Sequence, residues 1–113
     1  MQKIIPKKGD IFILENDESK GHEQSGHRPH VVVTQIIGGV ATVAPCTTSN
    51  NAKKYSYSIL INADKNNGLD KNSYVLIFQS FACDISILVN RIGFLDENSI
   101  NKIKIEYIRY ISE

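Results

Sequence analysis

The apolar residues of this chain follow one spacing up to about Phe94 and a different spacing after it. Before that point they form short runs, such as Ile11–Leu14 and Val31–Thr34, that are bounded by glycine, proline and polar residues. Such runs predict β-strands. After it they recur at spacings of three and four, which predicts one amphipathic helix. The residues of this predicted apolar face are Ile100, Ile103, Tyr107 and Ile111.

More strands are predicted between these two regions. Gly38-Gly39 is typical of a tight turn, so Val40–Ala44 is predicted to complete a hairpin with the strand before it. Pro45 is expected to end that strand, because proline cannot donate to a ladder. Asn66-Asn67-Gly68 is predicted as a turn, since these residues tolerate positive φ. The other predicted strands are Tyr55–Ile61, Tyr74–Phe78 and one or two within Ile85–Phe94.

The length of 113 residues predicts a single domain covering residues 1–113. Asp96 is a good N-cap for the final helix. Five to seven short strands with a closing helix are typical of a mainly β fold, a small curled sheet or barrel with a helix packed on it. No apolar stretch approaches the roughly 20 residues that a membrane-spanning helix needs, so no membrane association is predicted.

The charge and the cysteines restrict the possible functions. A formal net charge of +1 provides no overall basic field, so any nucleic-acid binding is expected to use a local patch. Cys46 and Cys83 form no CxxC pair, and we expect both to be reduced core residues in a cytoplasmic protein. The histidines and cysteines show no zinc spacing, so neither a metal nor another cofactor is predicted.

The first candidate site is the polar segment Gly21–His30, directly before the second predicted strand. Arg28 stands beside Pro29, which stiffens the backbone and limits where the guanidinium can point. The planar guanidinium suits a phosphate. Glu23 and Gln24 are candidates to orient that arginine or to hold a polar ligand. The alternative is a solvated loop in which Arg28 simply pairs with Glu23.

The second candidate site is the segment Pro45–Asn50, directly after the hairpin strand. The hydroxyls of Thr47 and Thr48 are able to donate to a phosphate oxygen. The alternative is that they make local turns with their own backbone. Cys46 lacks the neighbour that a thiolate nucleophile requires, so we expect it to fill the core.

Three histidines fall within the first polar segment: His22, His27 and His30. A histidine titrates close to neutral pH, so His22 and His27 are candidate acid–base groups or substrate contacts. His30 stands at the entry of the predicted strand, and we expect it to be structural.

Gly9-Asp10 before a strand, followed by Gly21-x-Glu23-Gln24-x-Gly26-x-Arg28-Pro29 before another, resembles the pattern of the MazF/PemK (Kid) family of toxin endoribonucleases. The distance between the two elements matches the family without a gap. The resemblance covers nearly the whole chain. Its further elements are Val43-Ala44-Pro45-x-Thr47, Leu69–Val75, Gln79, Asp84 and Leu95-Asp96.

This resemblance implies a small SH3-like β-barrel of the MazF/CcdB/Kid kind, normally a homodimer. It implies metal-independent, sequence-specific cleavage of single-stranded RNA such as mRNA. It implies that the ribose 2′-hydroxyl attacks the phosphate and that the products carry a 2′,3′-cyclic phosphate and a 5′-hydroxyl. It assigns the catalytic arginine to Arg28 and the catalytic threonine to Thr47, while the general base stays unassigned. It implies a cognate antitoxin as partner and contact with DNA only through that antitoxin. The expected RNA-contacting residues are Glu23, Gln24, His27, Thr48 and Gln79.

The chain departs from the family pattern at one strand. The family often shows Glu-Gln-x-Arg-Thr-x-Asp, whereas Phe78 and Phe81 stand here in place of the Glu and the Arg. We expect Phe81 to be a core residue, and stacking on an RNA base is the alternative. Two other functions stay open: a CcdB-like toxin that acts on a protein such as DNA gyrase, and a family member that binds without cleaving.

Overall fold

The computed structural model describes residues 5–16 and 26–113. Within these ranges seven antiparallel strands form one curled sheet, which is followed by an α-helix. The strands and the helix are β1 (Asp10–Asn16), β2 (Gly26–Val32), β3 (Val40–Thr47), β4 (Ser58–Ile61), β5 (Ser73–Leu76), β6 (Phe81–Asp84), β7 (Arg91–Phe94) and α1 (Glu97–Ser112). The strand order is β4-β5-β3-β2-β1-β7, and β6 pairs with β3. The prediction of a mainly β, barrel-like fold with a C-terminal helix is confirmed. In these ranges no helix is both long enough and apolar enough to cross a membrane.

The third strand joins the two halves of the curled sheet. It pairs with β6 through Val40–Val43, with β2 through Val43–Pro45 and with β5 from Cys46 to Thr47. The prediction that Pro45 ends this strand is therefore wrong. Proline is tolerated here because it lies where the pairing changes from β6 to β5, so no ladder bond is lost.

Apolar side chains cover both faces of the sheet. One face, which α1 covers, includes Ile11, Val31 and Ala44 together with Ile103 of the helix. The other face carries a second cluster formed by Phe12, Leu14, Val32, Ala41, Val43 and Leu88. Alternate residues of each strand belong to different clusters, as the pleat requires.

The cysteines and the helix follow the predictions only in part. Cys46 is buried as predicted, whereas Cys83 is half-buried at the margin of the second cluster. Asp96 is confirmed as the N-cap, because its carboxylate accepts the Ser99 N–H at 2.7 Å and this bond lowers the pKa of Asp96. The predicted apolar face is wrong at Ile111, which is 77% exposed because it borders an open groove between α1 and the end of β2.

Two predicted strands are longer than the real ones. The strand predicted over Tyr55–Ile61 begins only at Ser58, because Tyr57 takes φ 64° in the left-handed region. The strand predicted over Tyr74–Phe78 ends at Leu76, and a 3-10 helix follows. Strand β6 was not predicted, since four residues carry too little alternation to be recognised. The 3-10 helices are Asn50–Lys54, Ile77–Gln79 and Ile85–Ile87.

A polar turn lies between β4 and β5, at the predicted Asn66-Asn67-Gly68 turn. Asn67 is only 1% exposed, and its amide is held by three hydrogen bonds. Its Oδ1 accepts from the backbone N–H groups of Asp64 (3.1 Å) and Leu69 (3.0 Å), and its Nδ2 donates to the Asn62 carbonyl (2.9 Å). Gly68 takes φ 71°, which confirms the predicted turn.

Candidate active site

The structure places Arg28 inside β2 rather than in a loop before it. β2 begins at Gly26, and Arg28 and Pro29 pair with Leu14 and Ile13 of β1. The prediction of a loop arginine is therefore wrong. Pro29 fits this strand because the β2–β3 ladder begins only at His30, so this half of β2 has a neighbour on one side.

Arg28 and Thr47 lie at neighbouring ends of β2 and β3. The last pair of the β2–β3 ladder is His30 with Pro45, and Arg28 and Thr47 are each two residues beyond it. The charge of Arg28 reaches Cys46, the residue before Thr47. Paired residues share one face of a sheet, and so do alternate residues of a strand, so Arg28 and Thr47 belong to the same face. The two residues that the family motif singles out thus come from distant parts of the sequence to one end of the sheet.

The charge of Arg28 acts on two buried neighbours. It opposes the effect of burial on Cys46, and burial nevertheless raises the pKa of that thiol to about 12. Cys46 is therefore protonated at neutral pH and is not a nucleophile. Burial also lowers the pKa of His30, and the charge of Arg28 adds to this effect while the hydrogen bond to the Arg28 carbonyl opposes it. His30 is therefore neutral at neutral pH.

His30 joins the backbone of Arg28 to an aromatic ring on β6. Its Nδ1 lies 2.9 Å from the Arg28 carbonyl oxygen. Because a carbonyl oxygen only accepts, Nδ1 must carry the proton and donate it. The His30 ring also meets the Phe81 ring at a centroid distance of 5.7 Å and an interplanar angle of 82°.

Thr47 is half-buried, and its oxygen has a local partner. The Oγ1 of Thr47 accepts the Ser49 N–H at 3.2 Å, and this bond uses a lone pair of the oxygen, so the hydroxyl proton can still be donated to a ligand. Ser49 in turn caps the 3-10 helix by accepting the Asn51 N–H at 3.2 Å. Thr48 is exposed beside them. The Thr47 hydroxyl can therefore accept a local backbone hydrogen bond and still donate to a ligand, so the two roles predicted for this segment do not exclude each other.

The remaining predicted contacts are spread more widely. Glu23 and Gln24, with His22, lie outside the described residues. His27 is exposed on β2, but adjacent strand residues point to opposite faces, so it faces away from the Arg28 side. Gln79 is exposed at the end of the second 3-10 helix, two residues before Phe81.

The sequence analysis missed the exposed aromatic residues near these strands. The prediction that Phe81 is a core residue is wrong, because 42% of it is exposed. Phe78 packs edge-on against Tyr55 at 5.3 Å, and Tyr55 is 51% exposed. The available signal was the sequence Lys53-Lys54-Tyr55, because basic residues interleaved with aromatics are typical of single-strand binding. No group of three or more His, Cys, Asp or Glu side chains in the described ranges is placed to hold a metal ion.

Comparison with known proteins identifies the family. The family model described as "PemK-like, MazF-like toxin of type II toxin-antitoxin system" matches residues 7–109. The chain belongs to this PemK/MazF toxin family. The predicted family is thereby confirmed. The crystal structure of MazF from Deinococcus radiodurans has the same barrel fold with a C-terminal helix, with a TM-score of 0.75 at 20% identity over 98% of this chain and 100% of that chain.

Individual PemK/MazF proteins show the range of similarity. The "Endoribonuclease toxin MazF" of Escherichia coli K12 is 30% identical over 73 residues, which are 61% of this chain and 64% of that protein. The match therefore spans slightly less than two thirds of the E. coli protein. The "Endoribonuclease EndoA" of Bacillus subtilis 168 is 30% identical over 104 residues, 88% of this chain and 89% of that protein. A mycobacterial endoribonuclease solved with its cognate antitoxin has a TM-score of 0.72 at 14% identity, covering 96% of both chains.

The Gly9-Asp10 pair of the PemK/MazF pattern is structural in this chain. Gly9 takes φ 96°, a conformation that favours glycine. The carboxylate of Asp10 is buried, accepts the Lys7 N–H at 3.0 Å and pairs with the Arg91 guanidinium at 3.2 Å. This pair therefore fixes the entry of β1 and joins it to β7.

Proposed function

We propose that this protein is the endoribonuclease toxin of a type II toxin–antitoxin system. It cleaves single-stranded RNA, including mRNA, at specific sequences and without a metal ion. The observation that supports this proposal best is the β2–β3 ladder, because Arg28 and Thr47 are each two residues beyond its last pair and on the same face of the sheet. The names of the E. coli and B. subtilis relatives agree with it.

The proposed reaction needs positive charge and hydrogen-bond donors more than it needs a nucleophile from the protein. The 2′-oxygen of the substrate attacks the adjacent phosphorus as it loses its proton, the bond from phosphorus to the 5′-oxygen breaks, and the 5′-oxygen takes up a proton, so no net proton is consumed. A cyclic 2′,3′-phosphate and a 5′-hydroxyl result. The five-coordinate transition state carries about two negative charges on its oxygens. A preorganised donor that meets such charge contributes about 2.7–4 kcal/mol to lowering the barrier.

Arg28 and Thr47 take distinct roles in this reaction. The guanidinium stays protonated in proteins, so Arg28 stabilises the phosphate and donates a hydrogen bond rather than accepting the 2′-proton. Thr47 donates its hydroxyl proton to a second phosphate oxygen, since its own oxygen is held by the Ser49 N–H. Both donors come from paired strands, which hold them in place before substrate binds. Thr48 and Gln79 are exposed nearby and, with Glu23 and Gln24, are proposed to contact the RNA.

The test is end-mapping of RNA digested by the purified protein in EDTA. We expect new 5′-hydroxyl ends at a recurring short sequence, and we expect Arg28→Ala to abolish them. Intact RNA with the wild-type protein would overturn the proposed activity. Ends that bear 5′-phosphate would overturn the proposed reaction.

Thr47 and Thr48 provide a matched pair of variants. Thr47→Val keeps the shape of the side chain and removes its hydroxyl, and we expect the cleavage rate to fall about 10²–10³-fold, as for a lost transition-state donor. Thr48→Val makes the same change one residue later and is expected to alter the rate less than fivefold. Equal losses in both variants would show that the assignment to Thr47 is wrong.

A homodimer is part of the same proposal, and an exposed apolar patch supports it. The hairpin after β2 and the segment after β6 approach each other, since the Ile85 N–H donates to the Gly39 carbonyl. Exposed apolar side chains gather around this contact: Ile37, Val40, Ile87 and Val89. Sedimentation velocity is expected to show a dimer that Val89→Glu converts to a monomer. The control Ile105→Glu, at an exposed position of α1, is expected to stay dimeric.

We also propose that this protein binds a cognate antitoxin and acts in the cytoplasm. The family description names a toxin–antitoxin system, and the mycobacterial structure contains an antitoxin. We propose that the antitoxin has an acidic or disordered tail, which becomes ordered on this toxin and covers the RNA groove. DNA is contacted only through the antitoxin.

Both cysteines are free thiols, as expected in the cytoplasm. Addition of the antitoxin is expected to stop the cleavage measured above.

A further inference from the structure

An exposed aromatic ring lies on the same face of the sheet as the proposed catalytic residues. Phe81 pairs with Val43 in the β6–β3 ladder. Alternate residues of a strand share a face, so Val43 and Thr47 of β3 point to the same side. Phe81 is on that side too, because paired residues share a face. Its ring therefore lies on the face of the sheet that carries the proposed cleavage site rather than on the face that the helix covers.

His30 connects Phe81 to the arginine. His30 lies two positions after Arg28, roughly 7 Å further along β2. The His30 ring then meets Phe81 at 5.7 Å, while its Nδ1–H is held by the Arg28 carbonyl. An edge-to-face contact covers at most one face of the phenyl ring. The ring of Phe81 is thus fixed in orientation and still 42% exposed.

We propose that Phe81 forms a base-binding subsite, in which a nucleobase next to the scissile phosphate stacks on the exposed part of its ring. This inference rests on the proposed RNA cleavage. Aromatic side chains bind successive bases of single strands because every base has a π-face. Phe81 stands where the family pattern often has an arginine, so this chain has an aromatic π-face at a position that is often charged. A protein of net charge +1 has particular use for such an uncharged contribution to RNA binding.

Contact with a second copy of the chain is the competing explanation for an exposed phenylalanine. Two observations favour RNA. The exposed apolar patch assigned above to the dimer lies around Val40, which pairs with the far end of β6 from Phe81, whereas Phe81 is linked through His30 to Arg28. A subunit contact also gives no reason for the histidine to fix the ring beside the arginine.

Steady-state cleavage of RNA gives the first test. Phe81→Leu keeps an apolar side chain without a π-face, and we expect its KM to rise roughly tenfold with kcat little changed. Phe81→Tyr restores the ring and is expected to restore the KM. The control is Phe94→Leu, because Phe94 is also 42% exposed but lies on β7, which β3, β2 and β1 separate from β6. Its KM is expected to stay at the wild-type value.

Fluorescence of an RNA with 2-aminopurine beside the cleavage site gives a direct signature of stacking. A 2′-O-methyl group at the scissile ribose removes the nucleophile, so binding is seen without cleavage. We expect wild-type protein to quench the fluorescence at one substituted position, Phe81→Tyr to do the same, and Phe81→Leu to lose most of the quenching.

Three outcomes would overturn the subsite. The first is a wild-type KM and wild-type quenching in Phe81→Leu. The second is a loss of activity in Phe81→Leu that follows a changed sedimentation coefficient, which would make Phe81 a subunit contact. The third is an equal effect in Phe94→Leu. Failure of the wild-type protein to cleave RNA in EDTA would instead refute the proposed function. The quenching experiment distinguishes a failure of the proposed function from a failure of the Phe81 subsite, because it requires RNA binding and not cleavage.

Discussion

Two polar regions of this molecule differ in how far their side-chain hydrogen bonds are completed inside the fold. In the turn around Asn67, the side-chain amide is buried and satisfied by three hydrogen bonds to the backbone. At the end of the β2–β3 ladder, Arg28 and Thr47 are only half-buried, and the Thr47 oxygen has one long bond of 3.2 Å. The first region is saturated internally, whereas the hydrogen bonds among the residues that the structure describes leave the side-chain donors of Arg28 and Thr47 without an acceptor.

This difference shows how a polar cluster is to be interpreted. Hydrogen bonds that are completed inside the fold stabilise it, because a buried polar group left without a partner is costly. Donors that are held in place by strands but directed outward stabilise a ligand instead. Substitutions in the turn should therefore change stability with little effect on catalysis, and substitutions at the ladder end should do the reverse. The next three predictions test or sharpen this separation.

The largest effect on stability is expected at Gly93, where β7 meets the turn. A Cβ there would lie 2.4 Å from the Asn66 carbonyl oxygen and 2.4 Å from the Asn67 carbonyl carbon, both backbone atoms that cannot rotate away. Gly93→Ala is expected to cost about 3 kcal/mol of unfolding free energy, at the upper end for overpacking. Urea denaturation measures it.

Gly38→Ala is the control for Gly93→Ala. Gly38 takes φ 59° at the hairpin tip, but a Cβ there would meet nothing within 4 Å. Only the left-handed backbone opposes the substitution, and the expected cost is about 1 kcal/mol. Equal losses in both variants would mean that the turn does not approach β7 as closely as the structure shows.

The next effect is expected at Asn67. Asn67→Ala leaves two buried N–H groups and one carbonyl without their partner, and we expect a loss of about 2 kcal/mol. Cleavage by the folded fraction should be unchanged. The control Asn66→Ala alters an exposed neighbour and is expected to cost less than about 0.5 kcal/mol. A loss of cleavage in a fully folded Asn67→Ala protein would erase the distinction between the two regions.

The smallest effect is the pH dependence that His30 introduces at the ladder end. Its pKa is lowered in the folded protein, mainly by burial, so below pH 6.5 the unfolded chain binds a proton more readily than the native one. Stability should therefore fall as the pH drops below 6.5 and should be fully restored above it. His30→Asn keeps a donor for the Arg28 carbonyl without titrating, and its stability is expected to fall less over the same pH range. Parallel curves for the two proteins would contradict this assignment.

The parts of this molecule that depend on neighbouring residues were predicted from sequence, and those that depend on distant pairing were not. The N-cap at Asp96 and the turn at Gly68 follow from local chemistry and are correct. Arg28 was assigned to a loop because it stands in a polar segment with two glycines and Pro29, and only the one-sided pairing of β2 with β1 explains why a proline is tolerated in the strand.

The candidate site shows the same division. The family resemblance singled out Arg28 and Thr47, but their approach at one end of the sheet depends on the pairing of β2 with β3, which the sequence does not display. Phe81 was expected in the core because it is apolar. Its exposure depends on β6 pairing with β3, a four-residue strand that the pattern does not reveal.

The central claim is that Arg28 and Thr47 act on one and the same phosphodiester. A double-mutant cycle measures this directly, using single-turnover cleavage rates in EDTA for wild type, Arg28→Ala, Thr47→Val and the double variant. If both donors stabilise one transition state, the double variant should lose far less rate than the product of the two single losses, because residues that act as a unit are non-additive. Losses that multiply independently, or a Thr47→Val protein that cleaves at the wild-type rate, would contradict the account.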